Sequence, residues 1–239
     1  MRKMTKVWFV VSVVSALGAN AQAGQSVTPE LDKCIKQKQF AYTAKGALVG
    51  ALTGYLGARA TGKDAEKAAL IGAAAGGAFG FVTAWNKAVG ACKLEHPNWV
   101  LESDIMRSPN YDAVVAEFNY MPPQKDDIAV VRQLQMPEQV TPDSTASIPV
   151  KFVVLTPDGG EAKVKIDRKI FIIDDDKEVP LSWPGRDSED RVVENGEQEE
   201  NVSLYIPKEI PVGTKLRFQY AISLNDAPIV SQSGIVEVK

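Results

Sequence analysis

Few side chains in this sequence are equipped for chemistry. There are two cysteines, Cys34 and Cys92, and one histidine, His96, in "LEHPNW". A structural zinc cluster needs four Cys or His ligands at close spacing, and no such grouping stands in the sequence. A catalytic cysteine would need a base within reach, and no nucleophile motif surrounds His96. The carboxylates are more numerous. "DDD" at 174–176, followed by Glu178, could serve a calcium loop, but the Asp-x-Asp-x-Asp-Gly pattern is missing and a solvated turn is expected. The run 185–201, "GRDSEDRVVENGEQEEN", carries Asp187, Glu189, Asp190, Glu194, Glu197, Glu199 and Glu200. It reads as a solvated, mobile acidic loop that could recruit a basic partner or a cation. No Gly-x-Ser-x-Gly, phosphate loop or His-Glu-x-x-His is present, so a carboxylate-dependent hydrolase is the weakest of the function classes. The chain is expected to be no enzyme and to carry no cofactor or metal.

The glycines have spacing as regular as any motif. Gly46, Gly50 and Gly54 form one ladder, and Gly72, Gly76 and Gly80 another. "ATGKDAEK" lies between them, with Thr61, Gly62 and Asp64 as turn and cap residues. In an antiparallel helical hairpin, facing positions add to a constant. Gly46 with Gly80, Gly50 with Gly76 and Gly54 with Gly72 all give 126. Three facing pairs in one register predict close helix–helix packing, which must offset about 1 kcal/mol per glycine of lost helix propensity. Cys34 with Cys92 gives 126 as well, which predicts a disulfide across the open end. Cys34 lies about 120° off the glycine face at 100° per residue, so one straight helix from 34 to 58 is not expected.

These ladders must be positioned by larger elements. The chain has 239 residues and a net charge of −3, so no basic field points to nucleic acid. Arg2, Lys3 and Lys6 precede the apolar "VWFVVSVVSALG" and then "ANAQAG", the pattern of a secretory signal peptide over 1–23. Export to the periplasm or outer membrane of a Gram-negative bacterium follows as the expectation. Residues 24–95 form the expected helical hairpin, 96–125 a bridge with one short helical piece, and 126–239 a β region. Strands are expected near 127–135, 147–155, 161–166, 168–173, 201–206, 214–224 and 229–238, with Phe218, Tyr220, Ile222 and Leu224 on one core face. The fold class is thus α+β in two parts: an N-terminal antiparallel glycine-zipper hairpin and a C-terminal immunoglobulin-like β-sandwich.

"IPVGTKLRFQYAISLN…SGIVEVK" resembles an immunoglobulin or fibronectin type III domain, without the paired core cysteines. "GALVGALTGYLGARATG" followed by "IGAAAGGAFG" resembles the glycine-zipper segments of bacterial outer-membrane proteins such as the SlyB-like lipoproteins. That resemblance implies association with the outer membrane or a structural envelope role. Partners are then expected to be a sister copy or the membrane through the zipper, and an unidentified envelope protein through the sandwich. An oligomeric membrane-inserted pore or anchor, and a secretion-system accessory or chaperone, are the alternatives. Length argues against a simple two-span anchor. The apolar runs 46–58 and 68–85 would reach about 20 Å and 27 Å as helices, against the ~30 Å of a bilayer core. Trp85 could face a membrane interface or pack the hairpin onto the bridge. The sequence leaves open whether hairpin and sandwich touch.

Overall fold

A computed structural model describes residues 28–42, 77–174, 177–225 and 228–239. The apolar–polar alternation of the second half becomes two sheets packed face to face. One sheet has the order β1-β8-β4-β2, from Ile105–Arg107, Gly196–Ile206, Ser144–Leu155 and Ile128–Leu134. The other has the order β3-β10-β9-β5-β6, from Gln139–Val140, Val230–Val238, Lys215–Leu224, Ala162–Asp174 and Lys177–Leu181. Strand β7, Ser188–Val193, also pairs with β5. All these pairings are antiparallel except β3 with β10.

The core lies between the sheets. Ile148, Val150, Phe152 and Val154 of β4 and Val202, Leu204 and Ile206 of β8 meet Phe218, Tyr220, Ile222 and Leu224 of β9. The expected core face of β9 is therefore observed. The unbroken apolar run at the end of β4 has its own cause. Val153 and Leu155 point to the outer face, where Val114 of the short helix α3 (Tyr111–Glu117) and Tyr120 cover them. A strand buried on both faces reads as continuous rather than alternating. The turns follow their sequences. In "TPDGG", Gly159 has φ +82° and Asp158 accepts the Gly160 N–H.

Five strands differ from expectation. The segments expected at 161–166 and 168–173 form one strand, β5. Strands β1, β3, β6 and β7 were not anticipated, and each lies at a sheet edge or is short.

Among the described residues, two helices precede the sandwich: α1, residues 29–42, and α2, Gly77–Glu95. Thr28 caps α1, its hydroxyl accepting the Leu31 N–H at 3.3 Å, with Pro29 at the first helical position. Pro97 follows the end of α2 and starts a single 3-10 turn, Pro97–Trp99. Cys34 and Cys92 join the two helices in the expected disulfide, with Cα atoms 6.1 Å apart. Gly46, Gly50, Gly54, Gly72 and Gly76, and the signal-peptide residues, lie outside the described residues, whereas Gly80 lies in α2. Leu31 and Ile35 of α1, and Phe81, Trp85, Ala88 and Val89 of α2, are buried in the same cluster as the sandwich core. The helices and the sandwich therefore touch, and share one core.

Candidate functional site

The contact between α2 and β6 fixes the helices to the sandwich. Trp85, Asn86 and Lys93 present their side chains to the main chain of residues 180–187. The spacing from 86 to 93 is two helical turns, which keeps both on one face. The Asn86 amide donates to the Pro180 carbonyl at 2.9 Å and accepts the Ser182 N–H at 2.6 Å. A carboxamide carries the same donor and acceptor as a peptide, so Asn86 stands in for a neighbouring strand on the edge of β6. Trp85 Nε1 donates to the Ser182 carbonyl at 2.7 Å, and its ring stacks on Tyr205 with centroids 5.9 Å apart. Trp85 thus packs the helix onto protein; it is 3% exposed. Lys93 Nζ donates to the Gly185 carbonyl at 2.8 Å and pairs with Asp187 at 2.9 Å.

The segment 182–187 is held from beneath by a buried charge. Strand β5 pairs with β7 up to Asp167 and with β6 from Ile170, and Arg168 stands at the change of partner. Its N–H donates to the Asp187 carbonyl at 2.7 Å. Its side chain enters the core, fully buried, 2.6 Å from Glu200 and 2.8 Å from Glu189. Trp183 and Tyr220 flank the guanidinium at 5.8 Å and 5.5 Å. The Tyr220 hydroxyl donates to Glu200 at 2.6 Å, and Trp183 Nε1 to the Ser203 carbonyl at 3.2 Å. Burial opposes the charge on Arg168, but Glu200, Tyr220 and Glu189 outweigh it and hold the guanidinium above its usual range. Burial pushes the Tyr220 hydroxyl well up, and the Glu200 charge adds to this. Glu189 meets Arg168 as an ion pair, with neither oxygen aligned for a hydrogen bond. Glu200 belongs to one sheet, Arg168 and Glu189 to the other, so the triad ties the sheets together. Gly185 belongs to the same device: a Cβ there would lie 2.7 Å from Trp183 Cζ2.

The acidic run 185–201 is consequently not a solvated mobile loop. It contains β7 and the first half of β8, and Glu189, Glu197 and Glu200 are buried. Glu197 accepts from Arg132 and Asn110 at 2.8 Å each. Lys151 donates to Glu199 at 2.7 Å, and with Ser108 holds that carboxyl below its ordinary range. Asp187, Glu189, Glu194, Glu197, Glu199 and Glu200 each pair with a cation far away in sequence, which is why the run resembles a loop when read alone. In the "DDD" turn, residues 175 and 176 lie outside the described residues, and Glu178 makes a two-pronged pair with Arg217 at 2.6 Å.

Among the described residues one group brings metal-ligand atoms together: Cys34, Glu95 and His96, within 4.8 Å of one another. This group is not legible in the sequence, because only the fold brings position 34 to 95 and 96. Cys34 is spent in the disulfide, so the group offers no thiolate as it stands. Asn86, Lys93, Arg168 and Trp183 were also missed. Among the described residues, no helix is long and apolar enough to cross a membrane, and β7 pairs with β5 alone.

Residues 1–87 match the family model described as YMGG-like Gly-zipper, which supports the glycine-zipper assignment of the N-terminal part. Among curated proteins nothing matches. Among solved structures, the chain is similar to Spo0M, a sporulation control protein from Bacillus subtilis, at 10% identity and a TM-score of 0.30. That match covers 47% of this chain and 48% of the other, so the chain spans about half the length of Spo0M. It is similar to superoxide reductase (neelaredoxin) from Ignicoccus hospitalis at 13% identity and a TM-score of 0.27, over 45% of this chain and 79% of that one. A conjugative transposon lipoprotein from Bacteroides eggerthii gives 10% identity and a TM-score of 0.26, over 46% and 95%. Likenesses this distant say nothing about activity.

Proposed function

We propose that this is a non-enzymatic cell-envelope protein, exported through its N-terminal signal, whose glycine-zipper hairpin self-associates and whose immunoglobulin-like sandwich binds a partner. One observation carries the choice of self-association over membrane insertion. Phe81, Val82, Ala84 and Trp85 are buried at 3–6% exposure in protein. The second apolar run, 68–85, therefore loses four of its last five residues to the protein's own core. What remains, 68–80, would reach about 20 Å as a helix, no longer than the run 46–58 and well short of the ~30 Å of a bilayer core. The Gly-zipper match supports envelope association. The order β2-β4-β8 facing β3-β10-β9-β5, with β3 parallel to β10, supports the immunoglobulin-like assignment.

The test uses the full chain expressed with its signal. Cross-linking in envelope preparations should give oligomers, and Gly50→Leu with Gly76→Leu should abolish them while the sandwich stays folded. Wild-type chain recovered as a soluble monomer would overturn the reading. Retention after carbonate washing as a monomer would favour the membrane anchor instead. The exposed edge of β7 supports strand addition as the mode of partner binding, and co-purification from envelope extract tests it.

A further inference from the structure

We propose that the disulfide at the root of the hairpin conceals a metal site. When a dithiol reductant opens Cys34–Cys92, the two thiolates, the His96 imidazole and the Glu95 carboxylate hold one zinc-class ion. In the exchange, the reductant's two thiols become its own disulfide. Two electrons and two protons pass to the cysteine sulfurs, and metal binding then displaces both protons.

The geometry favours four ligands at one point. Donor atoms of Cys34, Glu95 and His96 already lie within 4.8 Å of one another. Ligands at 2.0–2.3 Å around a tetrahedral ion lie about 3.3–3.8 Å apart, so movements of roughly an ångström gather these three, and Cys92 Sγ joins them by turning away from Cys34 once the bond between them is broken. Cys92 lies in the last turn of α2 and His96 directly follows the helix, its N–H still donating to the Cys92 carbonyl at 2.9 Å, so the two residues stand one turn apart. Trp99 stacks on the imidazole with centroids 3.7 Å apart and fixes its plane. Lys38 donates to Glu95 at 2.7 Å, the outer-shell partner that a ligating carboxylate normally has. That hydrogen bond holds the Glu95 carboxyl below its ordinary range. Lys38 also offsets the excess negative charge of two thiolates and a carboxylate around a divalent ion. Two soft sulfurs with one imidazole select zinc over magnesium or calcium. The ion would fasten α1 to α2 where the disulfide did, so the clamp would survive reduction.

Cobalt(II) is the probe, added to the full chain before and after reduction with a phosphine, which contributes no thiol. The oxidised chain should bind none. The reduced chain should bind one equivalent, with thiolate-to-cobalt charge transfer and the visible bands of a tetrahedral site, and zinc should displace it. His96→Asn, which leaves the disulfide intact, should weaken binding by about tenfold or more. Circular dichroism follows the fold throughout. If reduction unfolds the helices, added zinc should restore them. The proposal fails if the reduced chain binds no cobalt. It fails equally if His96→Asn with Glu95→Gln binds as tightly as wild type with the same spectrum, since two thiols alone would then account for the signal.

Discussion

Replacing Asn86 isolates the contact between the helices and the sandwich. Asn86→Ala removes two hydrogen bonds at once, to Pro180 O at 2.9 Å and from Ser182 N–H at 2.6 Å. At about 1 kcal/mol net for each, the expected loss is about 2 kcal/mol. Asn86 is only half-buried, so water can reach the freed edge of β6 and the loss should not exceed about 3 kcal/mol. For a chain of this size the melting temperature should fall by about 4–8 °C. Amide exchange at Ser182 should speed up by about thirtyfold if opening is local, since 1.4 kcal/mol corresponds to tenfold.

Asn86→Asp makes the test sharper. An ionised carboxylate keeps the acceptor for Ser182 N–H but sets an oxygen against the Pro180 carbonyl, so at neutral pH the variant should be less stable than Asn86→Ala. A protonated carboxyl can donate to Pro180 O, so folding should favour the protonated form and raise the pKa of Asp at this position. A raised folded pKa gives stability that is full below the unfolded value, about 3.9, and is lost as pH rises. Relative to wild type at each pH, Asn86→Asp should therefore recover as pH is lowered toward 4. Urea unfolding of the three proteins across pH 4–7 measures this. Equal stability of Asn86→Ala and wild type, with unchanged exchange at Ser182, would refute the strand-mimic argument. So would a pH-independent Asn86→Asp penalty.

Three further outcomes are expected. Replacing both cysteines by serine opens a loop spanning a sequence separation of 58, and chain entropy puts the loss near 4 kcal/mol in denaturant unfolding. Arg168→Met leaves Glu189 and Glu200 buried without their counter-ion and should cost about 3–5 kcal/mol; adding Glu189→Gln and Glu200→Gln should restore part of it, and a triple variant less stable than the single would contradict the clamp. Burial, foremost, raises the Tyr120 and Tyr220 hydroxyls, so stability should be full below about pH 10 and fall above it by about 1.4 kcal/mol per pH unit for each; Tyr220→Phe should remove one share of that slope in urea unfolding at pH 9–11.

The sandwich was legible because its inward positions alternate. Phe218, Tyr220, Ile222 and Leu224 announce β9 from within ten residues of sequence. The disulfide was legible through a different regularity, the constant sum that it shares with the glycine pairs. What stayed hidden depends on partners distant in sequence. Glu200 looks solvated until Arg168 and Tyr220 are brought to it across the sheets. Glu197 looks solvated until Arg132 and Asn110 close on it. Strand β7 was missed for a related reason. Glu189 and Asp190 make it unattractive as a strand, because acidic residues are depleted in strands and this one is held by its pairing with β5 and by the Arg168–Glu189 ion pair. Asn86 gave no signal at all, since an amide beside an apolar stripe is ordinary on any helix.

The burial of Phe81, Val82, Ala84 and Trp85 changes what the zipper can do to the sandwich. Gly80, the last rung of its ladder, is six residues before Asn86 in the same helix, or about 9 Å along its axis. Asn86 is bonded to β6, and Trp85 and Lys93 hold the carbonyls of Ser182 and Gly185 on either side of Trp183. A helix fixed at three points cannot swivel about its own axis without breaking them. In an assembly built through the zipper, each sandwich would therefore be set in one orientation, close to the association face, rather than swinging on a tether. The edge of β7 would then point in a fixed direction from every copy. Asn86→Ala should loosen that orientation before it weakens the association itself. Spin labels at the exposed Val192 in cross-linked oligomers should report a broader distance distribution with no loss of oligomer. An unchanged distribution would mean that the disulfide and core packing of α2 hold the orientation without the β6 contact.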